Sequence, residues 1–228
     1  MRIVTARRVS QVFFFVVFVW FCVVATLGKE VWQLRGWPVN WLLELDPLVG
    51  LATLLSTRTI YAGLLWGLAT LALTVLLGRV FCGWICPFGA MHQAIGYLGR
   101  RSRKLSGQLE LNRFRPAQAI KYYVLAFFLA ASVLLPREWI SSGSLQIGLL
   151  DPLPLVHRSV NLILLPLADR LGVGPAPLPR FYEGAGLIAA VFLAALFLNF
   201  WIPRFYCRFV CPLGALLGVL SRWALWRV

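Results

Sequence analysis

The chain has 228 residues, of which 60% are hydrophobic and only 13% are charged. A soluble domain carries about 25% charged residues, so the composition excludes an ordinary soluble protein and indicates an integral membrane protein. The formal net charge of +14 would suit a nucleic-acid partner, but the positions of the charges favour another explanation.

Four apolar stretches approach the length that a transmembrane helix needs, roughly 17–25 residues. In chain order they are residues 12–27 with their neutral neighbours, 60–77, 119–135 and 185–202. The first stretch follows a basic start, as in a signal peptide, but no small-residue cleavage site follows it, so we expect it to remain as a span. The sequence predicts an all-α integral membrane protein with four transmembrane helices in a single membrane domain, residues 1–228.

The basic residues lie on one side of these predicted spans. The two termini and the loop between the second and third spans hold the whole net charge of +14, whereas the other two loops are neutral overall. The positive-inside rule assigns the basic side to the cytoplasm. We therefore expect a multi-pass protein of the inner (cytoplasmic) membrane with both termini cytoplasmic. Its basic side would contact anionic membrane lipid, and no nucleic acid is expected as a partner.

A short motif occurs twice, as FCGWICPFGA at residues 81–90 and as YCRFVCPLGA at residues 206–215. Each half runs span, outer loop, span and motif, which predicts two parallel pseudo-repeats, residues 1–104 and 112–228. Each outer loop contains Asp-Pro-Leu, at Asp46 and Asp151, where we expect the Asp to cap a short re-entrant or interfacial helix. The alternative is a functional carboxylate that assists proton release from a quinol. Six motif residues recur 125 positions later: Arg79, Cys82, Cys86, Pro87, Gly89 and Ala90, as Arg204, Cys207, Cys211, Pro212, Gly214 and Ala215.

The four motif cysteines are the candidate metal- and cofactor-binding residues: Cys82, Cys86, Cys207 and Cys211. The cytoplasm is reducing, so a metal or redox role is favoured over structural disulfides. A spacing of four residues puts both sulfurs of a pair on one side of a helical turn, and the following proline suits a helix start, where the dipole favours thiolate. Four thiolates fit an iron–sulfur cluster or tetrahedral zinc, which the two halves would form together.

The sequence contains three further side chains of interest, one cysteine and two histidines. Cys22 lies alone in the first span, where a cysteine behaves as a small apolar residue. His92 is expected at the surface or facing the headgroups. His157, in the second outer loop, is a candidate for lining a quinone pocket. No catalytic residue is predicted.

The doubled CxxxCP motif resembles the membrane-bound 4Fe-4S polyferredoxins, the group of the NapH, NosR and CcoG (FixG/RdxA) proteins. The resemblance implies a membrane electron-transfer subunit that links a quinone pool or cytoplasmic donor to a respiratory or reductase partner. It implies a 4Fe-4S cluster, although the residues alone leave 2Fe-2S open, and quinone is a second candidate ligand. We expect an electron-transfer component of a redox complex rather than a stand-alone enzyme.

Family members usually continue into a ferredoxin module with CxxCxxCxxxCP clusters, a pattern that these 228 residues do not contain. We therefore expect a separate partner with an iron–sulfur or flavin centre. It would dock on the cytoplasmic face, on the basic segment from Arg100 to Lys121. The alternative function is a copper-binding or cupric-reducing metal-handling protein, because soft thiolates favour Cu(I).

Overall fold

The computed structural model describes residues 3–27, 41–60, 63–101, 110, 112–134, 150–170 and 185–226. All regular elements within these ranges are helical, which confirms the predicted all-α class. The α-helices are α1 Ile3–Leu27, α2 Trp41–Glu44, α3 Pro47–Thr57, α4 Leu64–Leu77, α5 Pro87–Arg101, α6 Ile120–Leu134, α7 Pro152–Arg170, α8 Ala185–Trp201, α9 Phe205–Phe209 and α10 Pro212–Leu220. A π-turn spans Phe81–Ile85, and 3₁₀ turns span Pro116–Ala119 and Ser221–Trp223.

Two helical segments in the described ranges are long and apolar enough to cross a membrane, Ile3–Val24 and Pro116–Leu134. They correspond to the first and third predicted spans. The second and fourth appear as shorter apolar helices, α4 with 14 residues and α8 with 17. At 1.5 Å per residue α4 covers about 21 Å, less than a hydrocarbon core of about 30 Å. The four-span arrangement therefore remains a prediction.

The outer faces of these helices are apolar. On α1, Val12, Phe13 and Val16 are exposed, whereas Phe18 and Phe21 on the opposite side are buried. On α8, Leu193 and Phe197 are likewise exposed. Extended apolar surface of this kind is unfavourable in water and indicates contact with lipid or another protein.

The helices of the two halves pack in matching pairs. Helix α1 packs on α5 and α7, and α6 packs correspondingly on α10 and α3. Helix α3 packs on α4 as α7 packs on α8, while α5 contacts α8 and α4 contacts α10. Each contact thus recurs between equivalent helices, and several of them join the first half of the chain to the second.

The two Asp-Pro sequences lie where α3 and α7 begin. Asp46 caps α3: its side chain accepts a hydrogen bond from the Leu48 amide at 3.0 Å, and Pro47 occupies the first turn. This confirms the predicted cap. The start of α3 packs against the middle of α4, because the Thr70 hydroxyl donates to the Leu45 carbonyl at 2.8 Å. Asp151 directly precedes α7, but neither of its side-chain oxygens accepts a hydrogen bond from a donor among the described residues, so the predicted cap is wrong for Asp151.

Candidate metal centre

The four motif cysteines are free thiols in equivalent positions of the two halves. Cys86 and Cys211 are buried, with 6% and 4% of their surface exposed, and Cys82 and Cys207 are half-buried. The second cysteine of each pair directly precedes a helix, α5 or α10. The Cys211 sulfur accepts a hydrogen bond from the Gly214 amide at 3.2 Å, so it caps α10.

Both motifs are closed by the same backbone hydrogen bond. The Cys86 amide donates to the Phe81 carbonyl, and the Cys211 amide donates to the Tyr206 carbonyl, both at 2.9 Å. A bond over five residues widens one turn, as in the π-bulges that are common at functional sites. Each motif therefore folds as one wide turn followed by a helix that starts at proline.

The two motifs lie near each other, and burial dominates the ionisation of their thiols. Burial raises the pKa of Cys82 to about 12, and the next cause is the charge of Cys207 from the other half. Burial likewise raises the pKa of Cys207 to about 12, followed by the charge of Cys86. The predicted preference for thiolate at these helix starts is thus outweighed in the metal-free chain. A metal that binds here must displace the thiol protons.

The donor set fits a cluster better than a single ion. Within the described ranges, no three His, Cys, Asp or Glu side chains lie close enough to hold one metal ion. Tetrahedral zinc, which needs four ligands at one ion, therefore does not fit this arrangement. An iron–sulfur cluster has its irons at several corners, so its cysteine ligands lie farther apart. Two buried and two half-buried thiols from two neighbouring motifs match such a group in number and in chemistry.

The arginine of each motif reaches the helix that follows the other motif. Arg79 donates through Nε to the Ser221 hydroxyl at 3.1 Å, just after α10. Arg204 donates through its guanidinium to the Gln93 side-chain oxygen on α5 at 2.9 Å. These crossed contacts join the two halves beside the cysteines.

Two carboxyl groups that the sequence interpretation treated mainly as caps lie close together near this region. Asp46 and Asp151 are both fully buried. Burial raises the pKa of Asp46 to about 6 and raises the pKa of Asp151, where the charge of Asp46 adds to the effect. Asp46 and Asp151 occupy matching positions in the two repeats, and residues that match across a two-fold repeat can meet at its axis. These matching positions were the sequence signal for the contact.

The expectation that His92 lies at the surface is wrong. Its side chain is fully buried, with its ring centroid 4.3 Å from that of Phe88 and 6.2 Å from that of Tyr206. His92 lies four residues after Phe88, so both side chains lie on the same face of α5. The sequence interpretation missed this signal for burial of His92. His157 is half-buried on α7, with its ring 6.3 Å from Phe21.

A groove of about 670 Å³ runs between α1 and α5. Most of its lining is apolar, with polar groups from Arg8, Gln11 and Gln93. The Gln11 side-chain nitrogen donates to the Gly83 carbonyl at 2.7 Å and to the Gln93 oxygen at 3.1 Å. Gly83 follows Cys82, so the groove touches the backbone of the first motif.

Comparison with known proteins finds a family match in the two segments that contain the motifs. A family model described as a 4Fe-4S binding domain matches residues 59–106 and 184–228, the two segments that contain the motifs. No solved structure matches the chain.

Several characterised sequences are similar over most of the chain. The putative electron transport protein YccM of Escherichia coli K12 is 30% identical over 82% of this chain and 46% of its own length. The methylamine utilization ferredoxin-type protein MauN of Methylorubrum extorquens is 31% identical over 80% and 53%, respectively. The ferredoxin-type protein NapH of E. coli K12 is 28% identical over 77% and 50%. This chain spans about half the length of these relatives. On the motifs, the domain match and these relatives together, the chain belongs to the polyferredoxin-like family of 4Fe-4S proteins.

Proposed function

We propose that this chain is a membrane electron-transfer subunit with one iron–sulfur centre between its two halves. Cys82, Cys86, Cys207 and Cys211 would hold the centre, which supplies one-electron redox chemistry when bound. The observation that carries the proposal is that the four motif thiols, two buried and two half-buried, lie within electrostatic reach of one another across the two halves. The family match favours a 4Fe-4S cluster.

Metal analysis of the chain purified without oxygen tests this proposal. We expect iron and acid-labile sulfide in similar amounts, close to four of each per chain for one 4Fe-4S cluster. We also expect an electron paramagnetic resonance signal after reduction. Protein that contains neither iron nor sulfide, after anaerobic reconstitution as well, would contradict it.

Copper handling is the second candidate function. Cu(I) is satisfied by few soft ligands, so a single CxxxC pair is a sufficient donor set, and no larger single-ion group is found in the described ranges. The same metal analysis separates the two functions. Copper bound tightly in the absence of sulfide would favour this alternative over electron transfer.

The proposed topology has four spans with both termini and the cysteine motifs on the cytoplasmic side. The charge distribution supports it, and so does the packing of α3 against the middle of α4, which suits a re-entrant helix entering from the opposite side. Reporter fusions after residue 228 and within residues 170–180 test it. A periplasmic reporter at residue 228 would contradict the assignment.

Quinone is the proposed lipid-soluble electron carrier, and the groove between α1 and α5 is its proposed site. The groove is mostly apolar, and Gln11 links its polar end to the backbone beside Cys82. Pockets of this size, with few polar groups, are typical of small-molecule sites. Ala94→Trp should fill the groove and weaken binding of a fluorescent or photoreactive quinone analogue, while iron content stays unchanged.

We also expect a redox partner on the basic face. The predicted docking segment requires one correction, because Lys121 is 9% exposed and lies within electrostatic reach of Cys207 rather than free in solvent. Arg113 and Arg115 are exposed, while residues 102–109 lie outside the described ranges. Neutralising Arg100, Arg101, Arg103 and Lys104 together should slow electron delivery at low salt, because long-range steering by exposed charges is lost. An unchanged rate would place the docking surface elsewhere.

A further inference from the structure

Two buried carboxyl groups face each other between the halves of the chain. Asp46, before α3, and Asp151, before α7, are each 0% exposed. Their carboxyl groups lie close enough to interact directly. A carboxylate oxygen only accepts hydrogen bonds, so two adjacent buried carboxyls can bond to each other only when one of them carries a proton. We therefore expect the pair to hold one proton.

Capping explains only part of this arrangement. One oxygen of Asp46 accepts from the Leu48 amide at 3.0 Å. The second oxygen of Asp46 and both oxygens of Asp151 are buried and accept no hydrogen bond from a donor among the described residues. Two carboxylates so close together in a low-dielectric region cannot both be charged. The backbone amides at the start of α3 favour the charge on Asp46, so Asp151 carries the proton.

The carboxyl pair lies within electrostatic reach of the candidate metal centre. Burial and the charge of a neighbouring cysteine raise the pKa of Cys82 and of Cys86, and the charge of Asp46 adds a smaller contribution to both. On the other side, the pKa of Tyr206 is raised by burial, then by Cys211 and Asp151. The Tyr206 hydroxyl donates to the Leu150 carbonyl, next to Asp151. In such a buried region, adding a charge at the thiols changes the free energy of ionising the Asp46–Asp151 pair.

We propose that Asp46 and Asp151 form a proton-binding site that is coupled to the redox state of the cysteine centre. The pair shares one proton in the oxidised protein and binds a second when one electron enters from a reduced donor protein. The second proton comes from hydronium in solvent and forms an O–H bond with the remaining carboxylate oxygen. Electron and proton together leave the charge of the buried region unchanged. This coupling rests on the proposed function.

The first test uses the metal-free chain and does not depend on activity. Infrared spectroscopy at neutral pH should detect the carbonyl stretch of a protonated carboxylic acid. The double variant Asp46→Asn/Asp151→Asn should lose this band, because an amide does not absorb there. Asn is a good cap, so α3 and α7 should persist, and a melting curve checks this. The control Glu44→Gln removes a half-buried carboxyl two residues away and should keep the band.

The second test is the midpoint potential of the iron-loaded chain between pH 6 and 8. Uptake of one proton per electron makes a tenfold change in proton concentration shift the potential by about 59 mV for a one-electron couple. The native chain and Glu44→Gln should show this slope, and the double variant should show a nearly flat profile with unchanged iron content.

The two tests separate failure of this inference from failure of the proposed function. A native chain without the infrared band, or a double variant with the native slope, overturns the proton site. A chain with normal iron and sulfide but a flat profile overturns the coupling alone. A chain that binds no iron overturns the proposed function and the coupling with it.

Discussion

The two cysteine motifs share the same closing backbone hydrogen bond and the same pattern of one buried and one half-buried thiol, but their surroundings differ. Cys86 and Cys211 are buried to a similar degree and each closes an equivalent wide turn. Around them, Phe81 in the first half corresponds to Tyr206 in the second, and His92 on α5 corresponds to Leu217 on α10, all four buried. The positions suited to ligation repeat, whereas the packing and polar groups beside them have diverged.

The two halves also differ in which arginine donates the hydrogen bond that joins the motif to the first helix region. In the first half, Arg7 of α1 donates to the carbonyl of Gly83, which lies inside the motif. In the second half, the position of Gly83 is taken by Arg208, which donates to the carbonyls of Asn112 and Arg113 before α6. A guanidinium thus joins the motif to the first helix region of its own half in both cases. We therefore expect the two halves to respond equally to changes at the ligands and unequally to changes at the neighbours.

The largest expected effect tests the equality of the ligands. Changing Cys82, Cys86, Cys207 or Cys211 singly to Ser should remove most of the bound iron, because a four-thiolate site that loses one ligand is labile. Iron and sulfide assays of each variant measure this. Cys22→Ser, at a buried thiol outside the motifs, is the control and should retain native iron content. Full occupancy after removal of either motif pair would mean two independent sites.

The second prediction concerns His92 and its counterpart Leu217. Burial, followed by the charge of Arg204, lowers the pKa of His92 from 6.5 to about 4. The unfolded chain therefore binds more protons between pH 4 and 6.5, so stability is complete above this window and falls as pH decreases through it. The shift corresponds to about 3 kcal/mol.

The variant His92→Leu, which copies the second half, should abolish this pH dependence. It also removes two buried ring nitrogens that have no hydrogen-bond partner among the described residues. It should therefore raise the free energy of unfolding by about 1–2 kcal/mol at neutral pH. Denaturant unfolding in detergent at pH 5 and 7.5 measures both effects. An equal pH dependence in the variant would assign the titration to another group.

The third difference between the halves concerns Gly89 and Gly214, which lie three residues after the second cysteine of each motif. A Cβ at Gly89 would lie 2.7 Å from the Cys82 carbonyl oxygen, a backbone atom that cannot move without distorting the motif. At Gly214 the nearest atom is the Cys211 sulfur, at 3.4 Å. Gly89→Ala should therefore lower the free energy of unfolding by about 2 kcal/mol. Gly214→Ala should be nearly neutral, because tight packing offsets the gain of about 0.5–1 kcal/mol from helix propensity.

A third glycine calibrates this comparison. A Cβ at Gly186 on α8 would have no neighbour within 4 Å, so Gly186→Ala should show the propensity gain alone. Thermal unfolding of the three variants under one set of conditions measures the series. Equal losses at Gly89 and Gly214 would contradict the proposed difference between the motifs.

Local features of this fold were predictable from the sequence because local interactions determine them. The Asp46 cap needs only Asp before Pro at a helix start, and the all-α class follows from the apolar stretches. The length of α4 was less predictable: the apolar run 60–77 contains a helix that begins only at Leu64.

The unpredicted part of the site depends on long-range packing. Asp46 and Asp151 are 105 positions apart, and only the packing of one half of the chain against the other brings them together. Each Asp had a sufficient local explanation as a cap, so nothing in its immediate sequence indicated a partner. The burial of His92 likewise follows from the packing of α5 on α8, which hides one face of a helix whose sequence is only moderately apolar.

The smallest expected effect is a difference in stability between variants of Arg204 and Arg79, the two motif arginines that contact the opposite half. Arg204 shares the Gln93 oxygen with Gln11 in a partly buried network. Losing a hydrogen bond from a charged group there should cost about 1.5 kcal/mol. Arg79 contacts Ser221 at an exposed position, where such interactions contribute little. Arg204→Gln should therefore lower the free energy of unfolding by about 1.5 kcal/mol, and Arg79→Gln by less than about 0.5 kcal/mol.

The double variant Arg204→Gln/Gln93→Leu tests whether the hydrogen bond between Arg204 and Gln93 accounts for the stability lost in Arg204→Gln. If the bond to Gln93 accounts for the loss, the effect of Arg204→Gln should shrink when Gln93 is already replaced, since the two changes remove one shared interaction. Additive losses would instead assign the effect to another interaction of the Arg204 side chain. The backbone of Arg204 has a left-handed conformation (φ 56°), and its amide donates to the Asn199 side chain at 2.6 Å. Arg204→Gly keeps this amide and should lose less stability than removal of the side chain alone implies, because glycine adopts a positive φ without strain.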